Sequence, residues 1–221
     1  MTRNDQTPSA TEGLPVFPIE PVENEPWVRQ GDIYRDVEYI ESYDEDDDGA
    51  TITVAKLVFP LAVVLGQDCD LLSDGALRNP SLPRGRSRPS TSSAAVITTL
   101  LTPLYNSEAF FRGDHCSNMI ESLFLRASTT SAPVSLQGVV RDSKDARDPI
   151  MKGENNRFQY LHFGAAAPIV DCVVDFKHYF SVRTDYLVKY RAQCLGCIRT
   201  PFRESLSQRF SFYLSRIGLP D

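Results

Sequence analysis

The chain has 221 residues, 42% of them hydrophobic and 24% charged, with a formal net charge of −6, which suits one domain with elaborations or at most two small ones. No apolar run approaches the roughly 20 residues needed to cross a bilayer. The first residues lack the charged start and apolar block of a signal peptide, and five cysteines are an odd set for a disulfide framework. The expectation is a cytoplasmic protein with reduced thiols and no membrane association.

The charge is unevenly placed. Residues 1–50 hold 14 acidic and 3 basic side chains, whereas residues 51–221 hold 15 and 20. A mildly basic body permits contact with an anionic polymer such as nucleic acid, although ordinary solvated charge gives the same balance.

In chain order, residues 1–26 are rich in proline and acid, have no apolar periodicity and read as a disordered arm that hugs the domain through Val16, Phe17 and Ile19. Order is expected from Trp27. "WVRQGDIYRDVEYIES" is a Gly-Asp turn into a strand, and "ATITVAKLVFPLAVVLG" gives one or two more. The acid run Asp44 to Asp48 between them lacks the spacing of a calcium loop and reads as a solvated tip. "PLAVVLGQDCDLLSD" reads as a central strand with an Asp-rich exit. Residues 73–93 are a basic loop insertion, either a phosphate-tracking arm or a charged linker, with Arg84, Arg86 and Arg88 as candidate nucleic-acid contacts.

"AAVITTLLTPLYN" is a second buried strand, while "SEAFFRG" and "NMIESLFLRA" are short helical candidates. "RFQYLHF", "PIVDCVVDF", "HYFSVR" and "AQCLGCI" supply further strands. A C-terminal amphipathic helix follows Thr200 and Pro201, with Leu206, Phe210, Tyr213, Leu214 and Ile217 on one face. The fold class expected is α+β: a small, strongly bent β-barrel with inserted short helices, in one domain over 27–221.

This order of elements resembles the MazF/PemK family of toxin endoribonucleases, whose SH3-like barrel begins with a Gly-Asp-Ile strand, here Gly31-Asp32-Ile33. Phe59-Pro60-Leu61-Ala62-Val63-Val64-Leu65 is similar to the family's Arg-Pro strand, Val96 to Leu104 to its third landmark, and Ile169 to Phe176 followed by Pro201 to Ile217 to its late strand and helix. The resemblance implies an SH3-like barrel, RNA as substrate class and a bacterial defence or toxin–antitoxin setting. In the family the arginine before that proline and a hydroxyl residue in the third turn carry RNA cleavage. Here Phe59 stands in the arginine's place, Thr102 or Tyr105 offers the hydroxyl, and Lys56 is a nearby cation without the guanidinium fork. The reading that follows is a module that binds nucleic acid or a partner protein and has lost the toxins' cleavage chemistry.

Candidate catalytic residues are Lys56, Asp68, Asp70 and Thr102. Flanking carboxylates disfavour Cys69 as a nucleophile unless a histidine joins it from elsewhere, and an Asp at a strand exit also caps turns. Cys194-Leu-Gly-Cys197 has the spacing of half a zinc site but needs two more ligands, so neither metal nor cofactor is called for. His115-Cys116 sits in a polar connection and reads as exposed loop. Lys152, Arg157, Lys177 and His178, interleaved with Phe158, Tyr160, Phe163, Phe176 and Tyr179, have the pattern of a single-strand-binding surface. Strand alternation equally puts aromatics inside and cations outside. The partners expected are RNA or DNA, a protein partner, or a second copy in a homodimer. The alternatives in function are an active endoribonuclease using Lys56, Arg157 or a loop arginine, and a Cys69-dependent thiol hydrolase.

Overall fold

A computed structural model describes residues 14–22, 26–45, 52–79, 95–115 and 140–215, with the side chains of 41–56 excluded. Arg84, Arg86, Arg88, Cys116, the expected "NMIESLFLRA" helix, Ile217 and the side chain of Lys56 therefore lie outside the described residues. The elements are β1 (Ile19–Glu20), β2 (Asp32–Glu45), β3 (Ile52–Val64), α1 (Asp68–Arg78), β4 (Thr98–Asn106), α2 (Ser107–Arg112), α3 (Lys144–Met151), β5 (Phe158–Leu161), β6 (Cys172–Asp175), β7 (Phe180–Arg183), α4 (Thr184–Lys189), β8 (Cys194–Ile198) and α5 (Phe202–Leu214). The protein is α+β. Its strands pair antiparallel in the order β1-β8-β2-β3-β4-β6-β5, with β7 also on β4. These ladders do not close the sheet. A lone parallel bridge joins Val16 to His162, and the Phe17 amide donates to the His162 carbonyl at 2.7 Å.

The β2–β3 ribbon bends in its middle. Ile33 pairs with Val63 and Val37 with Phe59, positions of one parity that alternation should keep on one face. Yet the first pair lies in the core under α5 and the second in a separate core lined by Leu71 and Leu187. Asp36, at φ 53°, sits between them opposite the stretch containing Pro60, and a positive φ at a non-glycine residue turns the strand there. At the start of β2, Gly31 has φ 84°, and a Cβ on it would come within 2.8 Å of Arg203 Cβ. Its amide and carbonyl bond to Val64 and Ile198, so this turn ties β2 to both neighbours.

Three expectations change. The Asp-rich exit from β3 is a helix, α1, which also takes in residues 73–78 of the expected loop insertion. Asp68 and Asp70 occupy its first turn, where the helix dipole favours acids, and Arg78 its last. Residues 14–22, read as part of the arm, contribute β1, and Phe17 is buried against the Phe202 ring at 5.0 Å. At α5 the Thr200 hydroxyl donates to Glu204 instead of capping the backbone, and Leu214 is exposed, so Leu206 and Phe210 carry the buried face.

A third cluster positions the site. Tyr105 pairs with Val173, Tyr160 with Val173, and Phe158 with Asp175, so all five share one face of the β4–β6–β5 sheet. Phe110 and Phe111 of α2 and Ile150 of α3 cover that face.

Candidate functional site

β6 and β7 both run antiparallel to β4, Val174 to Cys172 along Leu104–Asn106 and Arg183 to Phe180 along Thr98–Leu101. Between them the chain detours through a 3-10 turn, Phe176–His178, facing Thr102 and Pro103. Pro103, paired with Ala62 on β3, brings no N–H to the ladder, so a strand running past it there lacks one donor. The detour leaves Asp175 at the end of a buried strand, turns Lys177 out to solvent and leaves His178 half-buried.

The Asp175 carboxylate is 2% exposed and bound in a fork by Arg157, Nε to Oδ1 at 2.8 Å and Nη2 to Oδ2 at 2.6 Å. The Lys177 amide also donates to Oδ1, at 3.0 Å. His178 Nε2 lies 3.7 Å from Oδ2, while its Nδ1 and the Tyr105 hydroxyl are 2.8 Å apart. His115 continues the line, its ring 4.8 Å from Tyr105 and 4.7 Å from Phe110. The Arg141 guanidinium lies over the Phe110 and Phe158 rings at 5.0 and 4.9 Å, and Arg157 over Phe158 at 4.8 Å.

Electrostatics tie the group together. Burial, helped by His178 and Arg141, lowers His115 to about 4. His178 is lowered chiefly by burial, with Asp175 opposing and Arg157 and Lys177 assisting. Burial and then the Arg157 charge lower Arg141, whereas the Asp175 hydrogen bond raises Arg157. At neutral pH both imidazoles of the cluster are therefore neutral, beside the guanidiniums of Arg141 and Arg157. Such a set hydrogen-bonds and attracts an anion at once.

Of the sequence candidates, Arg157, Lys177 and Thr102 converge on Asp175. The Thr102 hydroxyl is fully buried and donates to the Asp175 carbonyl at 3.4 Å. Lys152 caps α3 and pairs with Asp148 at 3.5 Å. Asp68 lies elsewhere, accepting from the Gln30 amide at 3.2 Å and from Arg203 at 3.1 Å, and so docks α5 against the β2 turn. Asp70 is exposed in the same helical turn, its Oδ1 3.7 Å from Cys69 Sγ. The only other side chain the Cys69 thiol meets among the described residues is Gln67, so no histidine is paired with it there. Lys56 pairs with Ile40 across the β2–β3 ribbon.

Cys194 and Cys197 bond to backbone carbonyls of Gly196 and Gln30, and burial pushes both thiols up to about 12. Among the described residues no group of three or more His, Cys, Asp or Glu side chains gathers as a metal site, and no helix is long and apolar enough to cross a membrane.

Sequence reasoning missed Asp175 and Arg141 and set His115 aside as loop. Asp175 carried a signal: it is an acid in phase with the buried residues of "CVVDF". Arg141 carried none, because it enters from a separate segment of chain.

No protein-family model, no curated protein and no solved structure matches this chain. Its class is the one the fold defines, an α+β protein with an antiparallel sheet and a histidine–arginine cluster at one sheet end. Any closer relationship rests on the residues themselves.

Proposed function

We propose that the chain is a nucleic-acid-binding module of MazF/PemK kind that keeps a binding face without the toxins' cleavage residues, and that it works in the cytoplasm in a bacterial defence or toxin–antitoxin setting. The observation that carries this is the Arg157 fork on the Asp175 carboxylate with Arg141 laid over the neighbouring Phe158 ring and the exposed Lys177 near enough to act on His178, beside two imidazoles held neutral by burial. Cations supply the attraction for phosphates, and the half-buried His178 ring supplies hydrogen bonds to sugar or base. The buried Phe158 and Phe110 rings carry the guanidiniums, so base stacking falls to the exposed Tyr179.

The barrel reading takes the bend at Asp36 and the Val16–His162 bridge as the curvature and seam of an SH3-like barrel. Loss of the toxin mechanism is supported by Phe59, which is buried where the arginine would stand, and by the buried Thr102 hydroxyl. A protein partner or a second copy is the remaining class of ligand for this face.

Fluorescence anisotropy with labelled single-stranded RNA and DNA tests the proposal. Salt-dependent binding, weakened in Lys177→Ala and Arg141→Gln, is the expected result. Failure to bind either polymer at low salt contradicts it.

One observation favours a second reading, that of an active endoribonuclease. Tyr105, His178 and Asp175 stand in line beside Arg157, which is an arrangement able to move a proton next to a bound phosphate. Cleavage of a long RNA that persists in chelator and disappears in His178→Ala would establish it.

A further inference from the structure

At the other end of the β5–β6 ladder a second tyrosine, histidine and aspartate meet. The Tyr160 hydroxyl and His162 Nδ1 each lie 2.8 Å from Asp171 Oδ2, and the Phe163 amide donates to Oδ1 at 2.9 Å. Burial pushes the Asp171 carboxyl up, but the hydrogen bonds from His162, Phe163 and Tyr160 outweigh it and hold it below the usual carboxylate range. Asp171 is thus an acceptor at neutral pH. It holds the His162 ring through Nδ1.

This trio borders a cleft of about 600 Å³, a size common to small-molecule sites. Phe111, Met151, Pro168 and Ile169 give it apolar walls, while Ser107, Glu108 and Arg147 give it polar ones. Asn106 also lines it, and because its Oδ1 accepts from the Ala109 amide at 3.0 Å, its NH₂ retains donors.

The charge balance selects among ligands. Glu108 and Asp171 bring two carboxylates, against which stands one guanidinium, Arg147, already paired with Asp142 and laid over the Phe111 ring at 4.7 Å. A phosphate entering this cleft meets both carboxylates. A flat neutral ring meets no such repulsion: its faces suit the apolar walls, and its edge can donate to Glu108 and accept from Asn106.

The geometry points to a second ligand site, in which this cleft takes an unstacked nucleobase as the neutral ring of a nucleoside. The choice of a nucleobase rests on the nucleic-acid reading above. The two ends of the ladder, Phe158 with Asp175 and Leu161 with Cys172, are three residues apart, or about 10 Å along a strand. One short oligonucleotide can therefore place its phosphates at the arginine cluster and a base in the cleft.

The test is calorimetric titration of the full chain with adenosine, guanosine, cytidine and uridine, and with their 5′-monophosphates, beside anisotropy with a labelled oligonucleotide. Ala165 is exposed on the cleft wall, and Ala165→Trp fills the opening. Glu108→Ala, on the exposed first turn of α2, is a second variant should the first not fold. At least one nucleoside is expected to bind, its monophosphate no more tightly. Ala165→Trp, or Glu108→Ala in its place, should weaken that nucleoside about tenfold or more, and Lys177→Ala should leave it unchanged.

Absence of nucleoside binding at millimolar concentration, preference for the monophosphate, or indifference to both cleft variants overturns the proposal. Oligonucleotide binding without nucleoside binding removes the base site and leaves the phosphate face standing. Nucleoside binding without oligonucleotide binding removes the phosphate face and supports the cleft as a site for a small ring.

Discussion

The two ends of the β5–β6 hairpin are built from the same three residue types and do opposite things. At one end Asp175 is sealed from water and gripped by a guanidinium fork, so its charge is spent on Arg157 and the cations Arg141 and Lys177 set the local field. At the other, Asp171 is bound by a phenol, an imidazole and an amide, with no guanidinium among the described residues in its hydrogen-bond shell, and its negative charge stays in the cleft. The contrast teaches that a Tyr–His–Asp trio has no fixed chemistry. Whether it faces an anion or a neutral ring depends on the cations packed around it.

The largest expected effect separates the two carboxylates by stability. Asp175→Asn leaves Arg157 half-buried without its partner and should cost about 3–5 kcal/mol, whereas Asp171→Asn keeps a polar acceptor at a more open site and should cost about 1–3 kcal/mol. Urea unfolding of both variants measures this, and the reverse order would contradict the assignment of Asp175 as the sealed end.

Acid should reach the Asp175 end through its histidines. His115 takes up its proton only near pH 4 when folded but near the ordinary 6.5 when unfolded. As pH falls from 6.5 towards 4 the unfolded chain binds the proton first and stability drops. The loss is about 2 kcal/mol after allowing for partial exposure of the ring. The difference between wild type and His115→Leu across that window isolates it from the carboxylates, and a constant difference would refute the burial of His115.

Smaller still is the cost of surface cations. Lys177→Ala should change stability by no more than about 0.5 kcal/mol yet lower the salt slope of RNA binding by about 0.7. Lys152→Ala, already paired with Asp148, should move the slope less. Equal effects would erase the distinction between the cluster and the general surface.

The sequence shows the strands and the last helix because their apolar spacing is local. Ile33, Val63, Val174 and Phe210 could be placed from periodicity alone. α1 is hidden because Asp68, Asp70, Ser73, Asp74 and Gly75, on either side of Leu71-Leu72, are turn-formers in isolation. What holds them helical is distant: Trp27 lies on Gly75, the Val96 amide donates to Asp74 at 2.9 Å, and Arg78 reaches Asp185. α3 was hidden for a similar reason, being polar with Pro149 inside and anchored by Ile150 and by Arg147 over Phe111.

At the site, Arg157 and Lys177 were legible as cations. Their shared carboxylate was not, because strand alternation stops at the Phe176–His178 turn and Arg157 precedes its strand. Parity puts Phe158, Tyr160 and Phe176 inside, as they are, but carries no sign that the Arg141 and Arg157 guanidiniums both lie on the Phe158 ring.

The most direct measurement is a salt titration of single-stranded RNA binding to the wild-type chain, repeated with Arg141→Gln and Lys177→Ala. The expected result is affinity that falls linearly on logarithmic axes, by about 0.7 per phosphate neutralised, with a shallower line for each variant. An affinity of zero at low salt, or a line unchanged by both substitutions, would contradict the account of this face.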